Sequence, residues 1–129
     1  MAQLMRNTHP LRSTPLHVAF AVLAMGGWAA FANRDHGAGS MQLAFAIQGT
    51  LSGLITLVMK RGLEIGHERL TGQFARLIPP LVSCTLIGAL LFLVHTLGGT
   101  PEVLRTLAVP WTVSTLYAFV YVASLDRTR

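Results

Sequence analysis

Gln48, Ser52 and Thr56 follow one another at helical spacing in the apolar stretch AIQGTLSGLITLVMK, residues 46–60. An amide and two hydroxyls spaced four residues apart share one helix face. There they can bind a polar solute or hydrogen-bond a neighbouring helix. A second set, Ser114 and Tyr117, lies on one side of a helix over 103–125 with Thr106, Pro110, Tyr121 and Ser124. His95 is the third candidate. An ionisable side chain in an apolar run is a functional hypothesis by default, and an imidazole with a free pKa of ~6.5 can act as a proton-linked switch. Gln48, Ser52, Thr56, Ser114, Tyr117 and His95 are therefore the expected substrate- or path-lining residues. Helix packing is the competing use of each.

Glu64, His67 and Glu68 place E-x-x-H-E on one helix face. Glu-x-x-His is half of a carboxylate-bridged dimetal site. Completion needs further carboxylates, and Asp126 is the one other acid expected at that end, so the expectation is an interfacial helix, Lys60 paired with Glu64 and no metal. G-x-S-x-G, H-E-x-x-H, C-x-x-C and glycine-rich phosphate loops are absent. The apolar runs hold no acid for general acid–base work. The sequence thus points away from an enzyme and implies no cofactor. Cys84 is single and serves as a small apolar filler.

The elements that must position these residues follow from hydropathy. Charged residues make up 12% of the 129 positions and hydrophobic ones 52%, against about 25% charged in a soluble domain. The charges cluster and leave four apolar windows, 15–32, 41–60, 77–97 and 103–125. Each approaches the ~20 residues that cross a hydrocarbon core. The expected fold is an all-α integral membrane bundle of four transmembrane helices with short loops. It forms a single membrane domain over 1–129, with residues 61–76 as the cytoplasmic connection. Eight of the ten basic residues fall on one side: Arg6, Arg12, Lys60, Arg61, Arg69, Arg76, Arg127 and Arg129. Arg34 and Arg105 fall on the other. Basic residues favour the cytoplasmic side of short loops, so both termini are expected in the cytoplasm and the protein in the cell (inner) membrane, as a multi-pass chain. The net charge of +5 belongs to membrane boundaries, not to a nucleic-acid-binding face. The basic leader and AFAN at 30–33 resemble a secretory signal, but the apolar run exceeds the usual ~7–15 residues, which favours a retained anchor.

Local signals mark the helix ends. Ser13 or Thr14 is expected as a cap before Pro15. Pro79 and Pro80 mark the start of the third helix, or a bend just inside it. Gly98 and Gly99 end it, Thr100 caps the fourth, and Pro110 kinks that helix. At ~100° per residue, Gln42, Phe45, Gln48, Gly49, Ser52, Gly53, Thr56, Met59 and Lys60 fall on one half of the second helix. Leu43, Ala44, Ile47, Leu51, Leu54, Ile55, Leu57 and Val58 fall on the other, with Thr50 the polar intruder. Gly49 and Gly53 form a small-xxx-small pattern, and Gly26 with Ala19, Ala30 and Asn33 offers a matching face. Gly26, Gly49 and Gly53 are the expected helix-packing residues.

The size is similar to that of small multidrug exporters, yet PLHVAFAVLAMGGWAAFAN lacks their first-span glutamate. Small fluoride channels are similar in length, but the third span holds only Phe92 where paired phenylalanines would be needed. Small four-span flippase-like proteins linked to lipid-bound sugars are similar in layout. No family is assigned. The expected function is an oligomeric transporter, channel or flippase-like protein for a small or lipid-linked substrate. The alternative is a non-catalytic accessory or assembly subunit. Expected partners are the lipid bilayer and either a second copy or a larger membrane protein, with no nucleic acid.

Overall fold

A computed structural model describes residues 14–127 as four long helices. They are α1 (Thr14–Ala32), α2 (Ala38–Arg69), α3 (Gly72–Leu97) and α4 (Val103–Arg127), with a 3₁₀ turn at Arg34–His36. Ser13, Arg6, Arg12 and Arg129 lie outside the described residues. All four helices are long and apolar enough to cross a membrane, and the protein is a multi-pass, all-α membrane bundle.

Cross-helix contacts give the topology. Gly26 of α1 packs on Phe45 of α2, and Gly66 of α2 packs on Pro79 of α3. Trp111 of α4 donates from Nε1 to the carbonyl of Cys84 in α3 at 2.9 Å. Each successive pair is thus antiparallel. Thr14, Arg69, Gly72 and Arg127 stand at one end, called the basic end below because Arg61, Arg69, Arg76 and Arg127 gather towards it. The turns at 33–37 and 98–102 form the loop end.

Glycines set the α1–α2 contact. A β-carbon on Gly26 would lie 3.2 Å from the Phe45 carbonyl oxygen, and one on Gly49 would lie 3.4 Å from that of Val22. On Gly53 it would stand 3.2 Å from a Val22 methyl. Such proximity needs hydrogen in place of a side chain, and backbones in a bilayer associate closely through small residues. The expected facing of α2 holds for most residues. Gln48, Gly49, Ser52 and Gly53 are buried, while Leu43, Leu54, Leu57 and Val58 are exposed. Ala44, assigned to the outer half, is buried, and Gln42, assigned to the inner half, is exposed.

Two boundaries differ from the sequence reading. Residues 61–76 are not a separate segment: α2 continues through Arg69, and α3 begins at Gly72 after Leu70 and Thr71. At 1.5 Å per residue, the 32 residues of α2 span about 48 Å. Lys60 and Arg61 end the apolar run without ending the helix, because KRGLEIGHER holds no proline and mostly good helix formers. Gly72, at φ +60°, supplies the left-handed backbone of the turn. Pro79 and Pro80 consequently sit inside α3, both buried.

The helix registers are offset as well. Ala38 lies ten residues before Gln48, whereas Leu97 lies two after His95, the residue that bonds Gln48. The start of α2 thus runs further past the Gln48–His95 contact than α3 does, and the 33–36 turn docks on Glu102. At the other end α1 begins one turn before Val18, which touches Gly53, and α2 runs sixteen residues past Gly53. Two small cores hold α2 to α3 and α4. Leu63, Ala118 and Val122 form one, and Ile87, Leu91 and Leu107 form the other, with Met59 packed against both.

Candidate functional site

The polar residues singled out in the sequence do not converge on one place. Three of them meet between α2 and α3. His95 Nε2 stands 2.8 Å from Gln48 Oε1, and Gln48 Nε2 donates to Ser52 Oγ at 2.8 Å. His95 Nδ1 stands 2.8 Å from Thr100 Oγ1. A carbonyl oxygen only accepts, so Nε2–H of the neutral ring donates to Gln48 and Nδ1 accepts from the Thr100 hydroxyl. The chain runs Thr100, His95, Gln48, Ser52, and all four side chains are buried. Thr56 turns its hydroxyl back to the carbonyl of Ser52 at 2.7 Å.

Thr100 thereby does something other than the expected capping of α4. Gly99 adopts φ +75°, and Thr100 N–H returns to the carbonyl of His95 at 3.0 Å. The first turn of α4 is served instead by Asn33, from the end of α1, whose Oδ1 accepts from the backbone N–H of Glu102 at 3.0 Å. Its Nδ2 donates to the Ala29 carbonyl and to Thr106 Oγ1, each at 2.8 Å. Asn33 is fully buried and joins the end of α1 to the start of α4. Nearby, at the surface, His36 donates to Glu102. That hydrogen bond holds the Glu102 carboxyl below the usual carboxylate range, helped by the charges of Arg105 and His36.

Ser114 and Tyr117 lie elsewhere. Tyr117 is 40% exposed and stacks on Tyr121, with ring centroids 5.5 Å apart. The Tyr121 hydroxyl donates to Glu64. Glu64 is sixteen residues beyond Gln48 along α2, about 24 Å. The two polar stripes thus serve opposite ends of the bundle. Ser114 is half-buried.

At the basic end, acids and bases pair across helices. His67 of α2 bonds Asp126 of α4 at 2.7 Å, and Arg76 of α3 reaches the same carboxylate with Nε at 2.6 Å. Glu64 pairs with Arg61 and not, as expected, with Lys60. The E-x-x-H-E face is therefore divided. Glu64 serves Tyr121, His67 serves Asp126, and Glu68 is exposed. Among the described residues no three His, Cys, Asp or Glu side chains form a metal-holding group.

No buried side-chain nitrogen or oxygen among the described residues lacks a partner. A satisfied, packed chain of this kind fixes helix register, each bond contributing about 0.6–1.7 kcal/mol in a membrane. Its polar atoms are paired with one another.

The open space lies outside the bundle axis. A groove of about 470 Å³ runs between α2 and α3 towards the basic end. Leu54, Val58, Gly62 and Gly66 line one wall, and Ile78, Pro79, Val82 and Leu86 the other. Met59, Leu63 and Ile87 form its floor. Val58 is 69% and Leu86 64% exposed, so the groove opens to the exterior, where a membrane-spanning bundle meets lipid. Its volume suits a small ligand or one lipid chain. Gly66 meets Pro79 within it, and Gln48 bonds His95 beyond its far end. Gly62 has nothing within 4 Å of where a β-carbon would stand. Sequence reasoning missed this groove, although Gly62 and Gly66 at i, i+4 repeat the small-residue spacing of Gly49 and Gly53. No family model matches the chain, and no curated protein or solved structure is significantly similar to it.

Proposed function

We propose that the protein is a small flippase-like carrier of the cell's inner membrane. It binds a lipid or lipid-linked substrate in the α2–α3 groove and acts as an oligomer with both termini cytoplasmic. The observation that carries this reading is the groove itself, apolar and open along its length to the exterior. The packed interior supports it further. Gln48, Ser52 and His95 are consumed by one another, so a substrate's polar part would travel along the outside of a protomer or between two of them. Basic residues at one end agree with cytoplasmic termini.

The same packed interior supports a second reading, a non-catalytic accessory subunit whose groove receives a partner's helix. The two readings separate in proteoliposomes that hold this protein alone. A phospholipid with a diazirine on its acyl chain should label the Val58 and Val82 region several-fold more than Phe20 on the outer face of α1. Gly62→Leu, which fills the groove where a β-carbon meets nothing, should remove the excess. Uniform labelling of the two faces would place the accessory reading ahead.

A further inference from the structure

We infer that the α2–α3 groove selects an anionic phospholipid, clamping its phosphate between Arg69 and Arg76 at the basic end while one acyl chain fills the apolar length. This rests on the lipid-binding reading above and names the headgroup class.

Helical register brings the two arginines to corresponding places on the two walls. Arg69 lies three residues after Gly66 and seven after Gly62, both in the α2 wall. Arg76 lies three residues before Pro79 and seven before Ser83, both in the α3 lining. Residues three and seven apart share a helix face, so both arginines continue the faces that form the groove, at its mouth. Both are exposed. Arg76 spends only Nε on Asp126, and among the described residues neither of its terminal nitrogens is hydrogen-bonded. Arg69 has no ion-pair partner among the described residues. A guanidinium with free N–H groups is suited to phosphate oxygens, which it binds in forked pairs.

Dimensions agree with a lipid. The α2 wall runs from Leu54 to Leu70, about 24 Å along the helix. One leaflet of hydrocarbon is about 15 Å deep, so the wall is long enough for a chain whose phosphate stands at the arginines. Charge also agrees. Among the described residues near this end, Lys60, Arg61, Arg69, Arg76 and Arg127 outnumber Glu64, Glu68 and Asp126. Zwitterionic lipid offers the same phosphate, but its ammonium group cancels the attraction. The basic surface therefore discriminates by headgroup charge.

Native mass spectrometry of the full chain in mild detergent reads this directly, with added phosphatidylglycerol or phosphatidylcholine of the same acyl chains. Wild type should retain phosphatidylglycerol over phosphatidylcholine. Arg69→Gln should lower that preference about fivefold, the worth of one basic residue near an anionic lipid. Its melting temperature should not change, because Arg69 makes no ion pair among the described residues. Arg69→Lys should restore part of the preference. Gly62→Leu should reduce retention of both lipids. Equal retention of the two lipids by wild type, or an unchanged preference in Arg69→Gln, overturns the headgroup assignment and leaves the groove standing. Retention of both lipids by Gly62→Leu at the wild-type level overturns the groove reading itself.

Discussion

At the residue scale, His95 and Gln48 behave as one unit. Each satisfies the other where both are fully buried, so removal of one strands its partner. Gln48→Leu leaves Nε2–H of His95 without an acceptor and removes the amide donor to Ser52. The expected loss is about 1–3 kcal/mol, the cost of an unsatisfied buried group. His95→Leu should cost a similar amount. The double variant should cost less than the sum of the two, because no stranded amide or imidazole remains. Thermal unfolding of the four proteins in one detergent gives the cycle, and strict additivity would show that the pair is not coupled. The sequence identifies Gln48 and His95 as polar groups at membrane depth. It does not reveal that they meet, since the register between α2 and α3 depends on contacts far apart in the chain. Asn33 was legible only as a small polar residue on the face of α1. Its role at the start of α4 requires the two hairpins to be docked.

At the element scale, glycine positions decide which helices touch and which stand apart. Gly53 and Gly62 lie nine residues apart on α2 but meet opposite surroundings. A β-carbon at Gly53 would press on Val22 at 3.2 Å, while one at Gly62 meets nothing within 4 Å. Gly53→Leu should therefore force α1 from α2 and cost about 1–3 kcal/mol. Gly62→Leu should be neutral or stabilising, by up to about 1 kcal/mol from helix propensity. Melting temperatures in mild detergent check the contrast, and equal losses for the two would contradict the packing described. Of the elements themselves, the four helices were legible because their apolar windows are long and their ends carry Gly and Pro. The length of α2 was not. Lys60 and Arg61 mark where hydropathy stops, and hydropathy carries no information about where backbone hydrogen bonding stops. Pro79 and Pro80 left the start of α3 open, since a helix that begins seven residues earlier, at Gly72, can still contain them.

At the scale of the whole molecule, the bundle separates three tasks. The loop end is fixed by Asn33 and the Thr100–His95–Gln48–Ser52 chain. The basic end is fixed by Asp126 with His67 and Arg76, and by Glu64 with Tyr121. Between them the α2–α3 side is open and apolar, and this is the proposed seat of function. The number of membrane-spanning helices and the polar stripe of α2 could be read from residue types alone. The groove could not, because it depends on how α2 and α3 pack on each other, through contacts far apart in the chain. The most direct test of the account is lipid movement across a vesicle containing only this protein. Fluorescent phosphatidylglycerol on the inner leaflet should become accessible to dithionite faster in wild-type proteoliposomes than in empty ones. Gly62→Leu should return the rate to that of empty vesicles with folding and oligomeric state unchanged. Equal rates in wild-type and empty vesicles, or a wild-type rate in folded Gly62→Leu, would contradict it.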